Sequence, residues 1–491
     1  MNAAPVLEAA AQTVAPALQL AAKVRALEAT SLPGTGTLAA LAVAAVVAVG
    51  ALALIMRRDP RAFPLLAVIA LPFRLPISAD GRTVNLLLPL YAVVAAGVIA
   101  HLLPRLLRRS GAYSSGRPPI LLDWLLLASV GLYAVQILYS SDPAKGAENL
   151  AFFYIPFGLL YVLLREAPWT PRLLGACLGA AVVLAVVFAG IGDIEYLRKS
   201  LFLNPKVVAA NEYDNYFRVN SLFFDPSIYG RFLALVMIAV TTAVLWPRAD
   251  GHAYPAAAAQ GGGEATGERD RRVRREQLLG AGILAWLMVG LVTSFSQSSI
   301  AALLLGLAIL AAWRWDVRGT LYVSVALVAI AAVVVAVAPS SLHFGLKGSG
   351  GSANNATSGR AKLVSGGLEL FADRPLGGYG AGSFETEYKR HGGGTAENAT
   401  SASHTIPITV AAEQGVFGLA LYVALIVTAL LTLFRGAGRS PPRIAIAACF
   451  AALVLHTWVY ADFLEDPLTW TLLGLGVALA GPLGSRWCSA T

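Results

Sequence analysis

Thirteen apolar runs separated by arginine-bearing connections constrain this chain more than any other feature it has. They fall at roughly 37–56, 63–78, 84–103, 120–139, 149–165, 173–192, 228–246, 278–295, 299–313, 320–338, 406–434, 444–461 and 467–484. Most run to about 17–25 residues, enough for a helix to cross a hydrocarbon core ~30 Å thick. Charged residues make up 13% of the chain and hydrophobic ones 57%, with a mean hydropathy of +0.66. A soluble domain carries about a quarter charged residues. Alternating strand-like segments are absent, so a transmembrane barrel is not expected. The pattern predicts an all-α polytopic bundle of about 12–14 spans, in which every backbone polar group is satisfied inside its own helix.

The net charge of +9 does not point to nucleic acid, because the arginines gather between apolar runs. Arg57/Arg58/Arg61, Arg105/Arg108/Arg109/Arg117, Arg165/Arg172, Arg248 to Arg275, Arg314/Arg318 and Arg435/Arg439/Arg443 all fall on one side if every run spans. The positive-inside rule makes that side cytoplasmic and leaves 140–148, 193–227 and 339–405 outside. The expected organisation is an interfacial amphipathic segment over 1–36, N-terminal spans over 37–192 and central spans over 193–338. The central spans carry the external loop 193–227 and a cytoplasmic linker at 247–277. A large external loop over 339–405 and C-terminal spans over 406–491 complete the chain. Cys177 and Cys449 sit in apolar runs and read as packed thiols, and the third, Cys488, has no close partner. No histidine or carboxylate cluster with ligand spacing appears outside, so neither a catalytic metal nor a cofactor is expected.

The large external loop holds His343, His391 and His404, three of only six histidines, together with Arg360, Lys362, Arg374, Lys389 and Arg390. A cationic surface with a histidine at a membrane boundary suits a phosphate-linked lipid. His404 abuts the next span, where a neutral imidazole can take a proton from an attacking hydroxyl; capping the helix is the plainer alternative. Glu413 lies within the same apolar run, where a lone carboxylate costs roughly 2.5–3.5 kcal/mol and demands a partner. It could orient His404, pair with an arginine, or serve a structural ion pair. Arg218, beside Tyr216 and Phe217, could bind phosphate with its planar fork or merely snorkel at a helix end. Arg360 opens a helix expected to run to Phe371, and Arg74, near the outer end of the second run, is a further candidate anion contact.

Three segments together resemble the O-antigen ligase/O-antigen polymerase superfamily of bacterial membrane glycosyltransferases. The first runs Arg218-Val-Asn-Ser-Leu-Phe-Phe-Asp-Pro-Ser-Ile-Tyr-Gly. The second joins Arg360 to Asp373-Arg-Pro-Leu-Gly-Gly-Tyr-Gly-Ala-Gly-Ser-Phe. The third runs from Ser403-His404-Thr-Ile-Pro-Ile to Glu413-Gln-Gly415-Val-Phe-Gly418 and is similar to the family's His-Asn…Glu-x-Gly-x-x-Gly signature. Two positions depart from the pattern. Phe295-Ser-Gln-Ser-Ser299 stands where the family often has Ser-Arg-Gly, and Thr405 stands where asparagine is usual. The resemblance implies a GT-C-like, metal-independent, inverting transferase working on the outer face of the cytoplasmic membrane. Its donor would be an undecaprenyl-pyrophosphate-linked glycan and its acceptor a hydroxyl on a glycan, a lipid or a protein. His404 would be the general base, with Glu413 beside it, and Arg218, Arg360 and Arg74 would hold the pyrophosphate. A transporter of lipid-linked polysaccharide is the alternative from another class, although it would need facing charges at mid-membrane.

Overall fold

The computed structural model describes residues 35–79, 82–107, 118–201, 217–246, 263–315, 318–319, 322, 360–392 and 405–481. Helices α1 (Thr35–Arg58) and α2 (Ala62–Ala70) lead into a two-stranded hairpin, β1 (Leu75–Ala79) and β2 (Arg82–Leu86). There follow α3 (Leu88–Leu107), α4 (Leu121–Ile137), α5 (Pro143–Glu166), α6 (Pro171–Arg198), α7 (Pro226–Leu245), α8 (Gly263–Thr293) and α9 (Gln297–Trp315). Beyond a gap in the described residues come α10 (Arg360–Asp373), α11 (Phe384–Arg390), α12 (Ile406–Phe434), α13 (Pro441–Trp458) and α14 (Pro467–Ala480). Among the described residues eight helices are long and apolar enough to cross a membrane, and α4 and α14 are shorter apolar helices. The protein is a polytopic helical membrane bundle.

Helix starts follow from local sequence. Asp142, Thr170, Asp225 and Asp466 each accept a backbone N–H of the first turn, and each precedes a proline whose missing N–H is no loss there. Asp123 folds back onto the amide of Ile120 at 2.6 Å to start α4. Helix α7 is the hub: most of its side chains are buried, against α6, α8, α9 and α13. Two turns widen to π geometry, Val98–Leu102 in α3 and Leu150–Tyr154 in α5.

Three sequence expectations need correction. The run 63–78 is not one span: α2 stops at Ala70, and Pro72 and Pro76 break the helix so that the chain turns into the β hairpin, where Leu75 pairs with Leu86. That hairpin also supplies strands where none was expected. The connection 140–148 is mostly helix, because Asp142-Pro143 caps α5. Helix α8 begins at Gly263, within the 247–277 segment, where a basic helix start next to the following span was expected. The run 320–338, apart from Tyr322, and residues 339–359 and 393–404 of the loop lie outside the described residues.

Charge divides the bundle into two ends. At one end Arg105 pairs with Glu166, Arg165 binds Asp123 at 3.1 Å and the carbonyl of Pro118, Arg57 donates to Ile99, and Arg443 donates to the carbonyls of Arg435 and Gly436. At the other end the connections 138–142, 217–225, 293–297, 374–384 and 459–466 converge.

Candidate functional site

Helix α12 is interrupted at Gly415, whose φ of 65° and ψ of −164° no helix contains. A break frees carbonyls and amides that a continuous helix would pair. Here the turn after α10 takes them up. Tyr379 N donates to Ala412 O at 3.1 Å, Gly380 N to Glu413 O at 2.8 Å, and Val416 N donates back to Pro375 O at 2.7 Å. The Glu413 side chain completes the joint, its Oε2 accepting Gly382 N at 3.1 Å and its Oε1 accepting Phe384 N at 3.0 Å. Glu413 is 7% exposed, and its hydrogen-bond partners are backbone amides rather than an arginine.

The far side of the turn is gripped by the α4–α5 connection. Tyr139 donates its hydroxyl to Gly377 O, Ser140 Oγ to Ala381 O and Ser141 N to Tyr379 O, while Thr386 Oγ1 binds Asp142 Oδ2. Pressed between two backbones, the turn has no room for side chains at its tightest points. Gly380 has φ +95°, and a Cβ there would sit 2.3 Å from Ser140 Cα. The Gly-Gly-Tyr-Gly-Ala-Gly composition is thus a docking requirement. Leu363, Leu370, Tyr379, Phe384, Tyr388 and Ala412 form the small apolar core that holds α10 and α11 on this joint.

The arginines expected at the site fall in several places. Arg218 donates Nε to Ser294 O at 3.3 Å, and the next residue, Val219, donates its amide to Thr293 O, so the 217–225 segment is pinned to the α8–α9 turn. That turn carries Ser296, Ser298 and Ser299, and His456 Nε2 lies 3.2 Å from the hydroxyls of both Ser298 and Ser299. Serines and a buried histidine therefore occupy the turn where an arginine was expected. Arg360 forms the first residue of α10, and only its backbone is described. Arg74, between α2 and the hairpin, acts electrostatically on Glu465 and Asp466. His404 lies outside the described residues; the chain passes from it through Thr405 into the first turn of α12.

Sequence reading missed the segment between α13 and α14. Its residues Tyr460, Asp462, Glu465 and Asp466 turn inward at this end of the bundle. Asp466 pairs with Arg231 at 2.9 Å, both side chains nearly inaccessible at 2% and 1%. Burial raises the Asp466 carboxyl above its usual range, with the Arg231 guanidinium opposing the rise. Burial also raises Glu465, helped by the neighbouring Asp462, and Asn149 Nδ2 donates to Glu465 Oε1 at 3.0 Å. Burial and Asp225, which accepts its hydroxyl, keep the Tyr460 phenol protonated far above its ordinary range. Three carboxylates in five residues between two apolar runs were the available signal.

A multi-spanning bundle whose broken helix receives a glycine turn at one end defines a multi-pass membrane protein with its motif segments interlocked there. Residues 282–423 match the family model described as O-antigen ligase. That match supports the O-antigen ligase/O-antigen polymerase superfamily for this segment and a membrane enzyme that transfers glycan. No curated protein matches the chain.

Proposed function

We propose that the protein transfers a glycan from an undecaprenyl-pyrophosphate-linked donor onto an acceptor hydroxyl at the outer face of the cytoplasmic membrane. His404 takes the acceptor proton as its hydroxyl attacks the anomeric carbon. Arg218 and Arg360, with Arg74, hold the pyrophosphate and stabilise the charge it gains on leaving. Attack opposite the leaving group inverts the anomeric centre. Glu413 acts as a positioning residue: it fixes the outer turns of α12, and with them the chain at Thr405 that His404 immediately precedes.

One observation carries the reading. The two motif-bearing segments, 373–384 and 405–418, interlock at the bundle end where 217–225 is also pinned, away from the arginine-rich connections. The positive-inside rule makes that end external, where polyprenyl-linked glycans are consumed. The experiment is to incubate purified protein in nanodiscs with an undecaprenyl-pyrophosphate glycan and candidate acceptors. Transfer accompanied by release of lipid pyrophosphate is expected; translocation of intact donor without its cleavage would favour a transporter instead.

A further inference from the structure

Beside the glycine-turn joint, α4, α5, α12 and the Phe463–Glu465 stretch border a cavity of about 60 Å³. On the rule that one buried water needs at least ~15 Å³, it holds about four waters, or the edge of one sugar ring. Tyr154, Thr409, Glu413 and Glu465 give it polar lining, and Leu421 and Leu425 give it apolar lining. Ile406, two residues after His404, also lines it. The cavity therefore reaches the helix start at which the proposed base enters.

Tyr154 points to a ligand. It closes the π-helical turn Leu150–Tyr154, a distortion frequent at functional sites. Its ring stacks on Tyr133 with centroids 4.2 Å apart, and the residue is 6% exposed. Among the described residues its hydroxyl has no hydrogen-bond partner, although it lines a cavity that Ser129, Thr409, Glu413, Gln414, Tyr422 and Glu465 also line. Asn149, one π turn earlier, spends its amide on Glu465 and Tyr133 and leaves its own buried carbonyl oxygen without a partner.

Among the described residues the cavity lining holds no lysine or arginine. Burial raises the Glu465 carboxyl, so that it keeps its proton near neutral pH, and Lys145, the cation that acts most strongly on it, lies outside the lining. Lys145 is itself paired to Glu148 at 2.7 Å. A phosphate placed here would lose its hydration with no cation in the lining to replace it, while a sugar hydroxyl would find acceptor oxygens in the carboxyl groups and a donor in Tyr154.

Resting on the reading of the protein as a glycan transferase, we propose that this cavity is the acceptor subsite and that it takes a hydroxyl-bearing, unphosphorylated sugar. The polar lining binds the acceptor sugar next to the start of α12, and the want of a cation in the lining disfavours phosphorylated acceptors. The donor pyrophosphate is held elsewhere, at the arginines.

The test uses the full chain in nanodiscs with two soluble probes, methyl glucoside and methyl glucoside 6-phosphate. Binding is read by saturation-transfer NMR, and donor consumption is followed separately. Wild-type protein should bind the neutral probe at least about tenfold more tightly than the phosphate. Tyr154→Phe, which keeps the ring, should weaken the neutral probe about three- to tenfold, and Glu465→Lys, which brings a cation to the lining, should narrow the gap between the probes. Thermal unfolding confirms that both variants fold, and should one fail to, the wild-type comparison of the two probes decides alone. Equal binding of the two probes, no binding of the neutral one, or unchanged binding in both folded variants overturns the proposal. Loss of donor turnover alongside retained probe selectivity would instead count against the transferase reading and leave the subsite standing.

Discussion

Glu413 Oε1 accepts the amide of Phe384 at 3.0 Å, joining a transmembrane helix to an extramembrane turn that precedes it by 29 residues. With its other oxygen on Gly382, one carboxylate satisfies two amides that would otherwise be buried without partners. Each such loss costs roughly 1–3 kcal/mol. Glu413→Ala should therefore destabilise the protein by several kcal/mol, and Glu413→Gln, which keeps one acceptor, by about half as much. Thermal unfolding in detergent measures both, and equal stability of the alanine variant and wild type would remove the joint from the account.

Gly415→Ala should be worse than its size suggests. Its Cβ would lie 2.2 Å from the carbonyl oxygen of Leu376, at a φ that costs an alanine about 1–2 kcal/mol by itself. Gly131→Ala is the control: nothing lies within 4 Å of a Cβ there, and a helical position should gain up to about 1 kcal/mol. Hydrogen exchange should show the amides of Tyr379 and Gly380 losing protection in the first variant and keeping it in the second.

Asp466→Asn retains a cap for α14 but strands the Arg231 guanidinium, a loss of roughly 3–5 kcal/mol for a buried charge. Adding Arg231→Met should recover much of it. A single variant as stable as wild type, or a double variant no better than the single, would show that the pair is not the reason.

Glu465 gives a pH signature. Its carboxyl titrates near ~4.3 in an unfolded chain and is raised to about 8 in the fold. The native state therefore binds the extra proton, so this group's contribution is fully present below the unfolded value and is lost as pH rises through the folded one. Stability should fall between those limits, and the slope should flatten in Glu465→Gln. An unchanged slope in that variant assigns the dependence to another group.

Transfer itself should depend on His404 by a factor of roughly 10²–10⁴, with His404→Ala still folding and binding the lipid donor. Arg218→Lys and Arg360→Lys should lose more activity than retained charge would suggest, since lysine cannot present a bidentate fork. Near-normal turnover in all three variants would place the chemistry elsewhere.

The helices were legible because apolar length is a direct consequence of bilayer thickness, and the motif segments because their glycines and charges interrupt that length. Gly378, Gly380 and Gly382 read as a turn-rich connection in the chain; they fit between two backbones, and only three-dimensional proximity reveals the second one. Glu413 was recognised as needing a partner, but the partner is main chain, which carries no sequence signal. Pro72 and Pro76 were visible in the second apolar run and outweigh its hydropathy, because missing amides and fixed φ end a helix whatever its side chains prefer. Asp462, Glu465 and Asp466 were passed over as a short connection, since nothing in a linear reading says that a five-residue turn faces inward.

The exchange of hydrogen bonds across Gly415 also sets an order of assembly. Neither partner is complete alone: the first turns of α12 have amides and carbonyls left over, and the 375–384 turn supplies the groups that pair with them. The pair lies within about forty residues of sequence and can meet as soon as both leave the ribosome, whereas the grip from Ser140 spans 241 residues and waits on the earlier helices. The N-terminal bundle thus acts as a socket that admits the joint once it has formed, and a mistimed joint would leave a span with an open, water-seeking backbone at the membrane surface.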